Sequence, residues 1–179
     1  MNGTYPEIYF CIDQKSFYAS VECAERQLDP MTALLVVADA ERSKNTICLA
    51  VSVGCKKKGI KNRCRLGDIP PNMNVIVAPP RMQLYIDCAA EIHGVFLKYF
   101  APEDIYTYSI DESFLHVTPY LKMYGLPPRA LAAKVALNHI GLLVVDEIQH
   151  VVNHKNGKTL VDCLTQLINN SGISIAMVP

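Results

Sequence analysis

Two acidic residues stand side by side in a stretch that otherwise reads as β-strand. In Tyr106 to Thr118, YTYSIDESFLHVT, the apolar positions Ile110, Phe114, Leu115 and Val117 enclose Asp111 and Glu112. Successive side chains of a strand point to opposite faces, so a straight strand would send one of the two acids into a core. Two adjacent carboxylates act together best near a strand end or bend, where that alternation relaxes. A second apolar strand, EIYFCID, ends on Asp13. If the two strands are neighbours, three carboxylates converge. Burying such charges without partners is costly. A divalent cation removes that cost, and hard oxygen ligands suit Mg2+. Two such ions about 3.5–4 Å apart can clamp the attacking and leaving oxygens of a phosphoryl transfer. The competing reading has Asp13 capping a helix and Asp111 and Glu112 on an exposed edge.

Around these segments strands and helices alternate, but not in simple βαβ order. SFYASVECAERQL has helical spacing, with Ser16 as its N-cap and Asp29-Pro30 as its stop. ALLVVAD reads as a strand. KNTICLAVS reads as a third strand or as a strand passing into a helix, and Gly59 closes a short basic helix. Prolines bracket a strand in IPPNMNVIVAPP. RMQLYIDCAAEIHGVFLKYF repeats its apolar residues near 3.6 and predicts a long helix, and PPRALAAKV starts another. IGLLVVDEIQ is a buried strand, followed by an amphipathic helix over GKTLVDCLTQLINNSG and a last strand, ISIAMVP. The class is α/β in the loose, α+β sense: a mixed sheet with helices packed on it.

Composition narrows the function classes. Half of the 179 residues are hydrophobic and 19% are charged, which excludes a disordered chain. The net charge of zero points to no polyanion partner as a whole, yet Lys56, Lys57, Lys58, Lys61, Arg63 and Arg65 cluster within CKKKGIKNRCR. Taken alone, a solvated loop or helix face accounts for that patch better than a ligand does. The seven cysteines are odd in number and none forms C-x-x-C, so neither a zinc site nor a disulfide framework is expected. MNGTYPEIYF lacks the features of a signal peptide, and no apolar run approaches the roughly 20 residues that span a bilayer. A soluble, cytoplasmic protein with no membrane partner is expected.

DQKSFYASVE (Asp13 to Glu22) and SIDESF (Ser109 to Phe114) resemble the two catalytic motifs of Y-family DNA polymerases, most closely of the UmuC-like ImpB/MucB/SamB branch. The similarity runs from about Tyr9 to about Lys134. It implies a palm-like mixed sheet with flanking helices and a small fingers insert at about 36–80. By this resemblance Asp13 and Asp111 bind the metals, Glu112 is the third acid, and Gln14 lends a backbone carbonyl. The implied cofactor is a pair of Mg2+ ions, with Mn2+ as a substitute. Tyr18 looks like the steric gate, whose ring crowds the sugar 2′ position and rejects ribonucleotides. Phe17 and Tyr18 would offer N–H groups to the triphosphate at a helix start. Ser52 and Lys56, in LAVSVGCKKKGIK, look like phosphate contacts; Val53 stands where relatives carry an aromatic residue. The implied partners are a dNTP, damaged primer–template DNA and proteins of mutagenesis.

Beyond Lys134 the pattern changes. GLLVVDEIQH resembles a Walker B strand, in which Asp146 would support Mg2+ and Glu147 would orient water. The run through NGKTLVDCLTQLINNSGISIAMV resembles transposon-encoded AAA+ ATPases, which would add transposition proteins as partners. The Walker A loop G-x-x-x-x-G-K-[ST] is absent, and NGKT at Asn156 to Thr159 holds only its tail, after Asp146 rather than before it. The expected organisation is a shortened polymerase palm and fingers over 1–134 and a non-functional ATPase-like strand–helix–strand fragment over 135–179. Loss of thumb and little finger would leave an error-prone translesion polymerase weak or inactive. The alternatives are a non-catalytic remnant that binds a nucleotide or partner, and a transposition-related ATPase regulator, which the missing loop disfavours.

Overall fold

Strand β1 (Ile8–Gln14) alternates as its sequence predicts. Phe10, Ile12 and Gln14 are buried, while Tyr9, Cys11 and Asp13 lie half-buried on the other face. The computed structural model describes residues 7–43, 45–137 and 145–152; the backbone alone is described for 136, 137 and 145–152. The chain divides into two compact units, one formed by the segments up to Gln14 and from Glu91 onward, the other by Lys15–Ala90.

In the first unit β1 is an inner strand of a four-stranded sheet. The full element order is β1, α1 (Phe17–Glu25), β2 (Leu35–Val37), β3 (Ala50–Val51), α2 (Val53–Lys57), β4 (Ile76–Ala78), α3 (Met82–Phe96), β5 (Ile105–Thr107), β6 (Glu112–His116), α4 (Thr118–Tyr124), α5 (Pro128–Leu137) and β7 (Val145–Val152). The sheet runs β5-β6-β1-β7, and each neighbouring pair is antiparallel. Phe10 pairs with Leu115, and both are buried with Ile12, Phe96 and Leu131 in the unit's core.

Two expectations need correction here. Tyr106 to Thr118 is not one strand. It is the hairpin β5–β6, with Tyr108 and Ser109 both donating their N–H groups to the Glu112 carbonyl, at 3.0 and 3.1 Å. Helix α4 is the second, since no periodic pattern in the sequence predicts it. Its cues are Pro119 in the first turn and Gly125 just beyond the end, at φ 63°, the left-handed conformation that glycine adopts without steric cost.

The second unit carries a three-stranded sheet, β3-β2-β4, with β2 fully buried between an antiparallel and a parallel neighbour. KNTICLAVS is indeed a strand passing into a helix: β3 leads directly to α2. Gly54 lets α2 lie against the preceding chain, since a Cβ there would stand 2.4 Å from the Ala33 carbonyl oxygen. Gly59, at φ +90°, closes α2 by donating to Lys56 O at 2.9 Å, and Ile60 N reaches back to Cys55 O. Val36, Ala38, Cys48, Val51, Cys55 and Ile60 form the core beneath. Among the described residues no helix is long and apolar enough to cross a membrane.

Candidate nucleotidyl-transfer site

The hairpin turn resolves the problem of the paired acids. Ser109 makes the bend: its hydroxyl accepts from the N–H groups of Asp111 and Glu112, at 3.3 and 3.1 Å, and donates to Asp111 Oδ1 at 2.9 Å. Asp111 therefore sits in the turn and Glu112 opens β6. Neither has to enter the core, and both remain half-buried.

The sheet then brings Asp13 to them. Asp13 and Glu112 are register partners across the antiparallel pair, so both lie on the same face. Gln14 N donates to Asp111 O at 3.0 Å, which ties the turn to the end of β1. Asp13, Asp111 and Glu112 thus meet at one sheet end. On its other side Asp13 is in register with Glu147 of β7, and the ladder is irregular between Asp13 and Gln14.

Burial raises the Glu112 carboxyl above its ordinary value, and the neighbouring Asp111 charge raises it further. Gln14 is buried, and its Oε1 has no hydrogen-bond partner among the described residues. The two crowded carboxyls are hard donors, the type that Mg2+ or Mn2+ takes, whereas the Gln14 amide lies on the face of β1 opposite Asp13. The described side chains nonetheless stop short of a metal cage, for no group of three or more His, Cys, Asp or Glu among them is placed to hold an ion.

The nucleotide-binding candidates lie in the Lys15–Ala90 unit. Phe17 is buried at the start of α1, and Tyr18 follows half-buried. Ser16 precedes them at φ 51°; it stands at the N-cap but makes no capping bond, and its buried hydroxyl has no partner among the described residues. The expected side-chain cap is therefore absent, because the left-handed backbone points the hydroxyl elsewhere. Ser52 is fully buried. Its hydroxyl donates to Ala33 O at 2.7 Å and accepts from Leu35 N and Cys55 N, so it fastens the start of α2 to β2. Lys56 is half-buried on α2, while Lys57, Lys58, Lys61, Arg63 and Arg65 are exposed.

The sequence reading missed a buried acid in this unit. Glu22, on α1, is completely buried. Arg81 grips it with two bonds, Nε to Oε1 at 2.9 Å and Nη2 to Oε2 at 2.8 Å. Tyr85 donates to Oε1 at 2.8 Å, and Arg26 bonds to Oε2. Burial alone would raise this carboxyl; the bonds from Arg81, Tyr85 and Arg26 outweigh it and hold the group below its ordinary value. The only cue in the sequence was an acid one turn after Tyr18 on a helix with an apolar face.

Comparison with known proteins identifies the family of the chain. The model of the impB/mucB/samB family matches residues 12–170. The putative UV-damage repair protein UvrX of Bacillus subtilis (strain 168) is 40% identical over 106 residues, 59% of this chain and 26% of its own length. The DNA repair protein homolog YozK of the same organism is 37% identical over 106 residues, which make up 92% of its length. DNA polymerase IV 2 of that organism is 34% identical over 68% of this chain and 29% of its own. The chain thus spans about a quarter of UvrX but nearly all of YozK. Among solved structures, a chimera of the Y-family DNA polymerases Dbh and Dpo4 superposes with a TM-score of 0.60 at 25% identity, over 72% of this chain and 37% of that one. A ternary complex of Dbh superposes at 0.63 and 22% identity, over 82% of this chain and 42% of its own. The resemblance of the tail to an ATPase finds no support here. The family match runs on to residue 170, and β7, which holds Asp146 and Glu147, pairs with β1 in the sheet that carries the acids. Asn156 to Thr159 lie outside the described residues.

Proposed function

We propose that this chain, which belongs to the impB/mucB/samB family of Y-family polymerases, carries a palm and fingers for metal-dependent nucleotidyl transfer from a dNTP to a primer end on damaged DNA. The observation that carries the proposal is the Ser109 turn, which delivers Asp111 and Glu112 to the end of β1 beside Asp13. Asp13, Asp111 and Glu112 would hold the divalent ions, which polarise the reacting phosphate and lower the cost of its charge. Gln14 would lend its backbone carbonyl oxygen. The chain's own residues bind and orient: the α1 start with Phe17 and Tyr18 offers N–H groups to the triphosphate, Tyr18 screens the sugar, and Lys56 supplies positive charge. Ser52 supports this only indirectly, by fixing the α2 start.

Polymerase affinity rests largely on contacts to DNA phosphates. These 179 residues alone should therefore extend a primer weakly, and only with Mg2+ or Mn2+. A titration with Mg·dNTP, using wild type and Asp13→Ala, tests the site directly. Saturable binding that the substitution abolishes supports the proposal. Robust extension that survives Asp111→Asn would sink the assignment. A second reading is a module that binds a nucleotide or partner without catalysis. Binding without any metal-dependent extension would favour it.

A further inference from the structure

Tyr18 does not stand on its helix alone. Its ring stacks on that of Tyr85, with centroids 4.5 Å apart and planes 14° from parallel. Tyr85 is fully buried, and a buried phenol needs a partner for its hydroxyl. It has the Glu22 carboxylate, at 2.8 Å. Glu22 is one turn beyond Tyr18 on α1, and Arg81 is one turn before Tyr85, whose N–H it accepts at 3.2 Å. Arg81 closes the ring of contacts with its two-pronged grip on Glu22. Any swing of the Tyr85 ring breaks a bond to a buried charge, and the Arg81 fork fixes where that charge sits.

We infer that Glu22 and Arg81, acting through Tyr85, are positioning residues that hold the Tyr18 ring in place, and so set how strongly the chain rejects a nucleotide bearing a 2′-hydroxyl. This rests on the reading of Tyr18 as the sugar screen. The specific claim is that the hydrogen bond to Glu22, and not the mere presence of an aromatic neighbour, keeps Tyr18 in its stacked pose. Tyr85→Phe separates the two, because it keeps the ring and removes the bond. Arg81→Lys keeps the charge and removes the fork.

The test uses the full chain with ring-labelled tyrosine, the Tyr18 signal being assigned from Tyr18→Phe. In wild type the Tyr18 ring signal is displaced by the stacked neighbour, and in Tyr85→Phe and Arg81→Lys it moves back towards that of a free tyrosine. Affinities for Mg·dATP and Mg·ATP are then measured on the same samples. Deoxynucleotide binding stays within about twofold, while the preference for the deoxy sugar falls by about tenfold, the scale of losing one hydrogen bond to a charged group. A merely structural role would weaken both nucleotides together. An unmoved Tyr18 signal in both variants overturns the inference. So does a moved signal with an unchanged sugar preference. If wild type binds neither nucleotide while the signal moves, the polymerase reading fails and sugar selection fails with it, but the clamp on the ring stands.

Discussion

Each of the two units takes a carboxylate wholly or partly out of water, and the two are treated in opposite ways. Glu22 is held below its ordinary value by Arg81, Tyr85 and Arg26, which outweigh the effect of its burial. Glu112 is raised by its burial and again by Asp111. A satisfied buried acid is part of the architecture. An acid crowded by another acid is held in an unfavourable state by the fold around it, and such sites are where chemistry is found. The contrast separates the two without reference to any relative: one carboxylate has been given its counter-charges by the chain, and the other faces a second acid.

The strongest way to break the contrast is to remove a counter-charge. Arg81→Met leaves Glu22 buried and short of its two-pronged partner, and should cost about 3 kcal/mol, in the range found when one partner of a buried pair is removed. Glu22→Leu should cost less, because Arg81 is partly exposed and can turn its charge to water. Urea denaturation of both variants checks the order, and equal losses would mean that packing rather than charge holds this cluster.

Next in size is Gly54→Ala. The added methyl would meet the backbone carbonyls of Ala33 and Thr32 at 2.4 and 2.5 Å, and backbone cannot step aside as a side chain can. A loss of about 2 kcal/mol is expected, typical of an overpacked site. A thermal melt that matches wild type would show that α2 shifts freely. This would also remove the support for Ser52 as the fastening of that helix.

Glu112→Gln runs the other way. Removing a charge that its surroundings oppose should leave stability unchanged or raise it by under ~1 kcal/mol in chelator, while metal-dependent nucleotide binding or extension is lost. A destabilised variant would instead place Glu112 with Glu22, among the acids that the fold requires.

How much of this was legible in the sequence follows from the range of each interaction. The alternation rule suggested a strand end or bend for Asp111 and Glu112, and they sit in the hairpin turn and at the start of β6. The identity of the bend was in plain view as Ser109, but a hydroxyl that takes two N–H groups looks like any other polar residue in a strand. Helix α4 was missed because its seven residues give too short a window for a 3.6 period, although Pro119 and Gly125 marked both its ends. The Glu22 cluster was out of reach for a different reason. Its main partner is 59 residues away, so no local pattern records it. Ser52 shows the reverse error: a family position suggested a phosphate contact, and only the packing reveals that its hydroxyl is engaged inside.

The smallest effect is also the sharpest test of the contrast, because the two acids should bend the pH dependence of stability in opposite directions. The folded state lowers the Glu22 value, so the stability that it contributes is present above its unfolded value and is lost as the pH falls through the folded one. The folded state raises the Glu112 value, so in metal-free buffer its protonated form is favoured by folding. Stability then declines as the pH rises from the unfolded value to the folded one. Denaturation over roughly pH 3 to 7 in chelator, repeated with Glu22→Gln and Glu112→Gln, isolates each slope. The first variant should flatten the acid side of the curve and the second the side above it. If both flatten the same side, the two acids share one kind of environment. If the acids bind Mg2+ as proposed, adding it should cancel or reverse the Glu112 slope and spare that of Glu22, because the cation would give Glu112 a counter-charge that Arg81 and Arg26 already give Glu22.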